Sequence, residues 1–249
     1  MSGHSKWSTI KHKKAKVDAQ KGVTFAKFSR EITIAAKLGG TAPESNFRLR
    51  TAIDNAKAAG LPNDNIKRAI EKASNASGGD NYEEVSYEGY GPGGVAVFIQ
   101  TMTDNRNRTA GDIRSYFNKN NGNLGETGCV GWMFKEEGNI FVDKTGIDHD
   151  KLFESAINAG ADDFLDEDDA YKIVTSTEDL QKVAEDLEKN GYKLKNVGLT
   201  RNSENTVPIT DVDTAKMLLR LLDSIENHDD VQHVYANFDI DDDLLEKIS

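Results

Sequence analysis

Lysines crowd the first residues of this chain at Lys6, Lys11, Lys13, Lys14, Lys16 and Lys21, with Trp7 and His12 among them. Ammonium groups in such a run neutralise phosphates without regard to sequence, and an indole beside them offers a face on which an unpaired base can stack. The same residues also suit a solvated terminus, so their types alone leave both roles open. Charge elsewhere in the chain favours the first role. Residues 1–80 hold 15 Lys+Arg against 7 Asp+Glu, residues 81–249 hold 16 against 35, and the whole is formally −11. Segregation of this kind points to a polyanion met by the basic end, with the acidic remainder turned away from it. A second set, Arg106, Arg108 and Arg114 in "TDNRNRTAGDIR", surrounds a helix start, where amide dipoles and guanidinium forks suit an anion. Pairing to nearby carboxylates, with Thr103 or Asp104 as the helix cap, fits those arginines equally well.

Other motifs suggest chemistry that their context withdraws. "GYGPGGVAV" matches G-x-G-x-x-G, but it opens the apolar run "VAVFIQ" and not a helix, which reads as a hairpin turn with glycines supplying positive φ. The acidic clusters at Asp166–Asp169 and Asp239–Asp243 lack the glycine and terminal glutamate of a calcium loop. Five histidines include no HExxH, the single Cys129 excludes a thiolate zinc cluster, and no G-x-S-x-G elbow occurs. If Met1 is removed, Ser2-Gly3-His4 could offer four nitrogens to Cu(II) or Ni(II), an arrangement that is also met incidentally; no metal or cofactor is assigned. Without a convergent catalytic constellation the chain reads as a non-enzyme. No apolar window is long enough to span a membrane, and the opening residues lack the apolar stretch of a signal peptide, so a cytoplasmic protein is expected.

The elements that must carry these residues follow from periodicity. Phe25, Phe28, Ile32 and Ala35 define a helix from Val17 to Leu38; Ser45 caps a second with Leu49, Ile53 and Ala56 inward; "LPNDNI" opens a third with Ile66, Ile70 and Ala73 inward. After Gly79 the period changes: "YEEVSYEGYG" and "GVAVFIQTMTD" read as paired strands, followed by a helix from Arg108 and a short strand "CVGWMF". Residues 136–205 then show βαββαβ order, the ferredoxin-like arrangement, and the tail supplies helix "DVDTAKMLLRLLDSIENH" and strand "VQHVYANFDI". The fold class expected is multidomain α+β: a basic three-helix bundle at 1–79, a discontinuous ferredoxin-like domain at 80–135 plus 206–249, and a second ferredoxin-like domain, 136–205, inserted into it.

"MSGHSKWSTIKHKKAKVDAQKGVTFAKFSREITIAAKLGG", "NFRLRTAIDNAKAAGLPNDNIKRAIEKA", "YEGYGPGGVAVFIQTMTDNRNRT" and "NLGETGCVGWMFKEEG" together closely resemble the YebC/PmpR family, which includes mitochondrial translational activators. "GHSKW" begins at residue 3 and leaves no room for a presequence, which points to a bacterial member. The resemblance implies a three-domain cytoplasmic protein that binds DNA as a transcriptional regulator. It equally implies a rival role in translation, at the ribosome during difficult peptide-bond formation. One departure is that "KNNGNLGETG" has Asn120-Asn121 where a more glycine-rich turn is expected.

Two partner classes therefore stand, DNA with the transcription machinery, or ribosomal RNA with the ribosome. The lysine-and-tryptophan arm grips phosphate in either, and no helix-turn-helix recognition helix or zinc finger is evident for base-edge readout. A protein-interaction scaffold using its sheets is the third class, distinguished by indifference to polyanions.

Overall fold

A computed structural model describes residues 17–74 and 82–248. Among the described residues the contacts divide the chain into two compact units: residues 17–30, 82–135 and 202–248 in one, residues 31–74 and 136–201 in the other. The architecture is α+β, with a helical leading region followed by sheets.

Helix α1, Val17–Gly39, opens the described chain. Its apolar stripe widens at Ile32–Ala36 into a turn buried on every side, where a one-sided face was expected. Helix α2, Phe47–Ala58, buries Leu49, Ala52, Ile53 and Ala56; helix α3, Asn63–Ser74, buries Ile66 and Ala69. The cap of α2 is Asn46 and not Ser45. Asn46 Oδ1 accepts the Leu49 amide at 3.0 Å, while its Nδ2 donates to the Ala35 and Gly40 carbonyls at 2.8 Å each. One buried amide thus starts α2 and ends α1, a double duty that the shorter Ser45 side chain could not perform. The Thr33 hydroxyl donates to the Ala69 carbonyl at 3.1 Å, tying α1 to α3.

The sheet of the second unit comprises β4 (Phe134–Asp143), β5 (Asp163–Asp166), β6 (Ala170–Thr175) and β7 (Leu194–Ser203), in spatial order β5-β6-β4-β7. Strand β6 is antiparallel to both β4 and β5, so β4 and β5 are the parallel pair of a split βαβ joined by helix α5, His149–Ala159. Asp148 caps α5 and Gly160, at φ 106°, ends it. Helix α6, Leu180–Lys189, packs beside it, and Leu152, Ala156, Leu180, Val183 and Leu187 close on Ile140, Val142 and Ile173. Phe47 of α2 packs against this core, and Asn55 exchanges hydrogen bonds with the Val197 backbone at 2.9 and 3.3 Å.

In the first unit β1 (Glu83–Tyr90) and β2 (Ala96–Thr103) form the hairpin, with Gly93 and Gly94 at φ 73° and 76° in its turn. Helix α4, Arg106–Lys119, leads to β3, Asn123–Leu124; β8, Val207–Ile209, precedes helix α7, Val212–Glu226; β9, Val231–Ala236, and β10, Phe238–Ile240, lead to helix α8, Asp242–Ile248. The order β3-β1-β2-β9 places β1 between the parallel strands β2 and β3. This is again a split βαβ, but its inserted strand comes first in the chain. One sheet face meets α4 and α7 through Val97, Ile99, Ile113, Phe117, Leu218 and Leu222. The other is covered by Val130 and Phe134 against Phe98 and Tyr235.

Two expected strands differ. "CVGWMF" is not a strand: residues 131–133 form a 3₁₀ turn, and β4 begins only at Phe134. Glu88, buried beneath, accepts the amides of Gly128, Val130 and Gly131 at 2.8, 2.7 and 2.6 Å, satisfying backbone that a strand would have paired. The run "VQHVYANFDI" is interrupted at Asn237, whose Oδ1 accepts the Ala96 amide at 2.7 Å; β10 beyond it pairs in parallel with β8. Asn121, at the departure from a glycine-rich turn, has φ 54°, a conformation asparagine tolerates.

Candidate nucleic-acid interface

Lys6, Trp7, Lys11, His12, Lys13, Lys14 and Lys16 lie outside the described residues, as does the Lys21 side chain. The described part of the basic region is built where α2 meets α3. Gly60, at φ 86°, ends α2, and the Leu61 amide returns to the Ala56 carbonyl at 2.9 Å, a glycine-terminated helix end. Pro62 then accepts the Asn65 and Ile66 amides at 2.9 and 3.2 Å as α3 begins. The turn sets Lys57, in the last turn of α2, beside Lys67 on α3.

Between them is a cavity of about 340 Å³ with Pro43, Ile53 and Ile66 as apolar lining and Arg50, Lys57 and Lys67 as cations, against the single carboxylate of Asp54. Arg50 is partly committed: it donates to Glu185 Oε1 at 3.0 Å and lies over the Phe47 ring at 5.4 Å. Lys57 and Lys67 are exposed and make no ion pair among the described residues. Two ammonium groups that outnumber the one carboxylate above an apolar floor suit an anion with an apolar portion, as in a sugar-phosphate chain. Sequence reasoning passed over both lysines. The signal available was the seven-residue spacing of Arg50 and Lys57, which puts them on one face of α2.

The three arginines of the second set have different fates. Arg108 donates to Asp104 at 2.7 Å and to Asp230 at 2.8 Å, and these bonds push its guanidinium above its usual range. Burial works against an ionised Asp230, but hydrogen bonds from Arg108 and Thr109 and the charges of Arg30 and Arg108 outweigh it, holding the carboxyl below its ordinary value. Arg108 is therefore engaged within the protein. Arg106 is exposed, 3.5 Å from Glu83, and Arg114 is exposed on α4. The cap of α4 is Asn105, which accepts the Arg108 amide at 3.1 Å, and neither Thr103 nor Asp104 takes that place.

Asp166 pairs with Lys144, while Asp242 and Asp243 sit in the first turn of α8. Among the described residues no group of three or more His, Cys, Asp or Glu could hold a metal ion, and no helix is long and apolar enough to cross a membrane. Burial, with the charge of Glu88, raises the Cys129 thiol above its ordinary value.

A helical leading region followed by two split-βαβ sheets defines a multidomain α+β protein, and the same fold is known from a crystal structure. Over 94% of this chain and 96% of the other, it superposes on a conserved hypothetical protein from Aquifex aeolicus with a TM-score of 0.83 and 48% identity. Residues 5–76 match the TACO1/YebC protein N-terminal domain and residues 82–238 the TACO1/YebC second and third domain, so the chain belongs to the TACO1/YebC family. It is 57% identical, over 97% of its length and 100% of the relative's, to a probable transcriptional regulatory protein of Pelotomaculum thermopropionicum. A probable transcriptional regulatory protein of Desulfotalea psychrophila is 51% identical over the whole of both chains.

Proposed function

We propose that this protein is a non-enzymatic, cytoplasmic regulator of gene expression that binds nucleic acid through its basic leading domain, 1–79, and carries the discontinuous domain 80–135 plus 206–249 and the inserted domain 136–205 as surfaces for other proteins. The observation that carries the reading is the α2–α3 cavity, where Lys57 and Lys67 make no ion pair among the described residues, in the basic part of an otherwise acidic chain. In this reading the arm from Lys6 to Lys21, with Trp7 and His12, supplies further phosphate and stacking contacts, and Arg106 and Arg114 are secondary anion contacts. The names of the relatives favour DNA as the target.

Ribosomal RNA is the second reading, favoured by one feature of α3. Its exposed residues interleave Asp64 and Glu71 with Lys67, Arg68 and Lys72. Carboxylates there are repelled by the phosphates of either nucleic acid, so α3 offers isolated lysine contacts in place of a continuous groove-lining face, which suits a structured RNA. Crosslinking and sequencing of nucleic acid from growing cells tests both. Reads in promoter DNA support transcription, reads in ribosomal RNA support translation, and the absence of either over an uncrosslinked control overturns the proposal.

A further inference from the structure

Trp132 is 74% exposed, and Tyr90, at the end of β1, is 37% exposed. Neither ring has a donor to spare: Trp132 Nε1 and the Tyr90 hydroxyl both donate to the Cys129 carbonyl, each at 3.2 Å. One oxygen thus gathers the two polar tips. The loop that carries this carbonyl is itself held fast. Glu88, 4% exposed, binds three of its amides through its carboxylate and receives the Gly125 amide on its own carbonyl at 2.8 Å. Beneath, Val130 and Phe134 pack on Phe98 and Tyr235.

We propose that Trp132 and Tyr90 form a seat on which an unpaired nucleobase stacks, a contact that rests on the nucleic-acid reading above and extends it to a second surface. Covering these rings strands no donor, because both already have their acceptor. Apart from the acceptor lone pairs of the Tyr90 hydroxyl, what remains on offer is π-surface, and every base has a π-face, so recognition is tolerant of sequence. A fixed loop also spares the entropy of ordering the rings on binding. Local charge permits the approach. Residues 82–135 carry 5 Lys+Arg and 6 Asp+Glu, whereas residues 202–249 carry 3 and 12, so the rings stand in the near-neutral part of their unit. Lys135, exposed three residues beyond Trp132, is available to the adjoining phosphate.

The test is a titration of the full-length protein with a single-stranded oligouridine of about twelve nucleotides and with the same strand paired to its complement. Tryptophan emission is read alongside affinity, and the difference between wild type and Trp132→Phe isolates the signal of Trp132. Single strand, and not duplex, should quench that signal. Trp132→Ala should weaken single-strand binding about tenfold, and Trp132→Phe, which keeps a ring but also lacks the N–H, should retain most of it. Wild-type affinity in Trp132→Ala, with Trp132 emission unchanged by the strand, would overturn the seat while leaving nucleic-acid binding intact. Failure of the wild type to bind either form removes the seat and the functional reading together. Equal losses in the Ala and Phe variants would mean that the N–H, through its hold on the loop, mattered and the ring did not, which also overturns it.

Discussion

Arg108 and Asp230 join the start of α4 to the residue before β9 by a 2.8 Å charge-assisted hydrogen bond. Asp230, 2% exposed, also lies 3.3 Å from Arg30 and accepts from the Thr109 and Thr103 hydroxyls at 2.7 and 3.2 Å. A buried carboxylate is tolerated here because two cations and two hydroxyls replace its water.

Asp230→Asn should cost about 2–4 kcal/mol in urea unfolding, since it leaves Arg30 and Arg108 without their shared anion. The pH dependence has a definite sign. With the native pKa lowered, the stabilisation is fully present above the ordinary carboxylate range and is lost as pH falls through the native value. The stability difference between wild type and Asp230→Asn should therefore shrink only under acid; a difference that does not change with pH would argue against the ionised carboxylate as its source.

Glu88→Gln places an amide donor where only amide donors point, at Gly128, Val130 and Gly131. A loss of about 2–4 kcal/mol is expected, with hydrogen exchange accelerated at those amides before the rest of the β1–β2 sheet.

Asn46→Ala removes the α2 cap and the bonds to Ala35 and Gly40 together. Thermal unfolding should report about 1–3 kcal/mol of destabilisation, more than an exposed cap alone supplies, and Asn46→Ser should recover only the capping part.

Replacing Lys57 and Lys67 by alanine should leave the fold unchanged, because both side chains are exposed, but reduce the slope of log K against log salt by about 1.4–1.8, two phosphate contacts' worth. An unchanged slope would take the α2–α3 cavity out of the interface.

Helix and strand periods, the glycine turn after Tyr90, the βαββαβ order of residues 136–205 and the segregation of charge were all legible in the sequence, because each is a local pattern of apolar, charged or φ-permissive residues. Partners across long separations were not. Nothing in the periodicity singles out Asp230, and only the folded chain brings Arg30 and Arg108 to it; nor does it single out Lys57 and Lys67, which the turn at Gly60 sets beside one cavity. "CVGWMF" and "VQHVYANFDI" have the composition of strands, yet Glu88 takes up the amides of the first and Asn237 interrupts the second. Apolar spacing states which face of an element is buried, whereas the group that satisfies a buried carboxylate or amide is chosen by three-dimensional proximity, which only the tertiary structure decides.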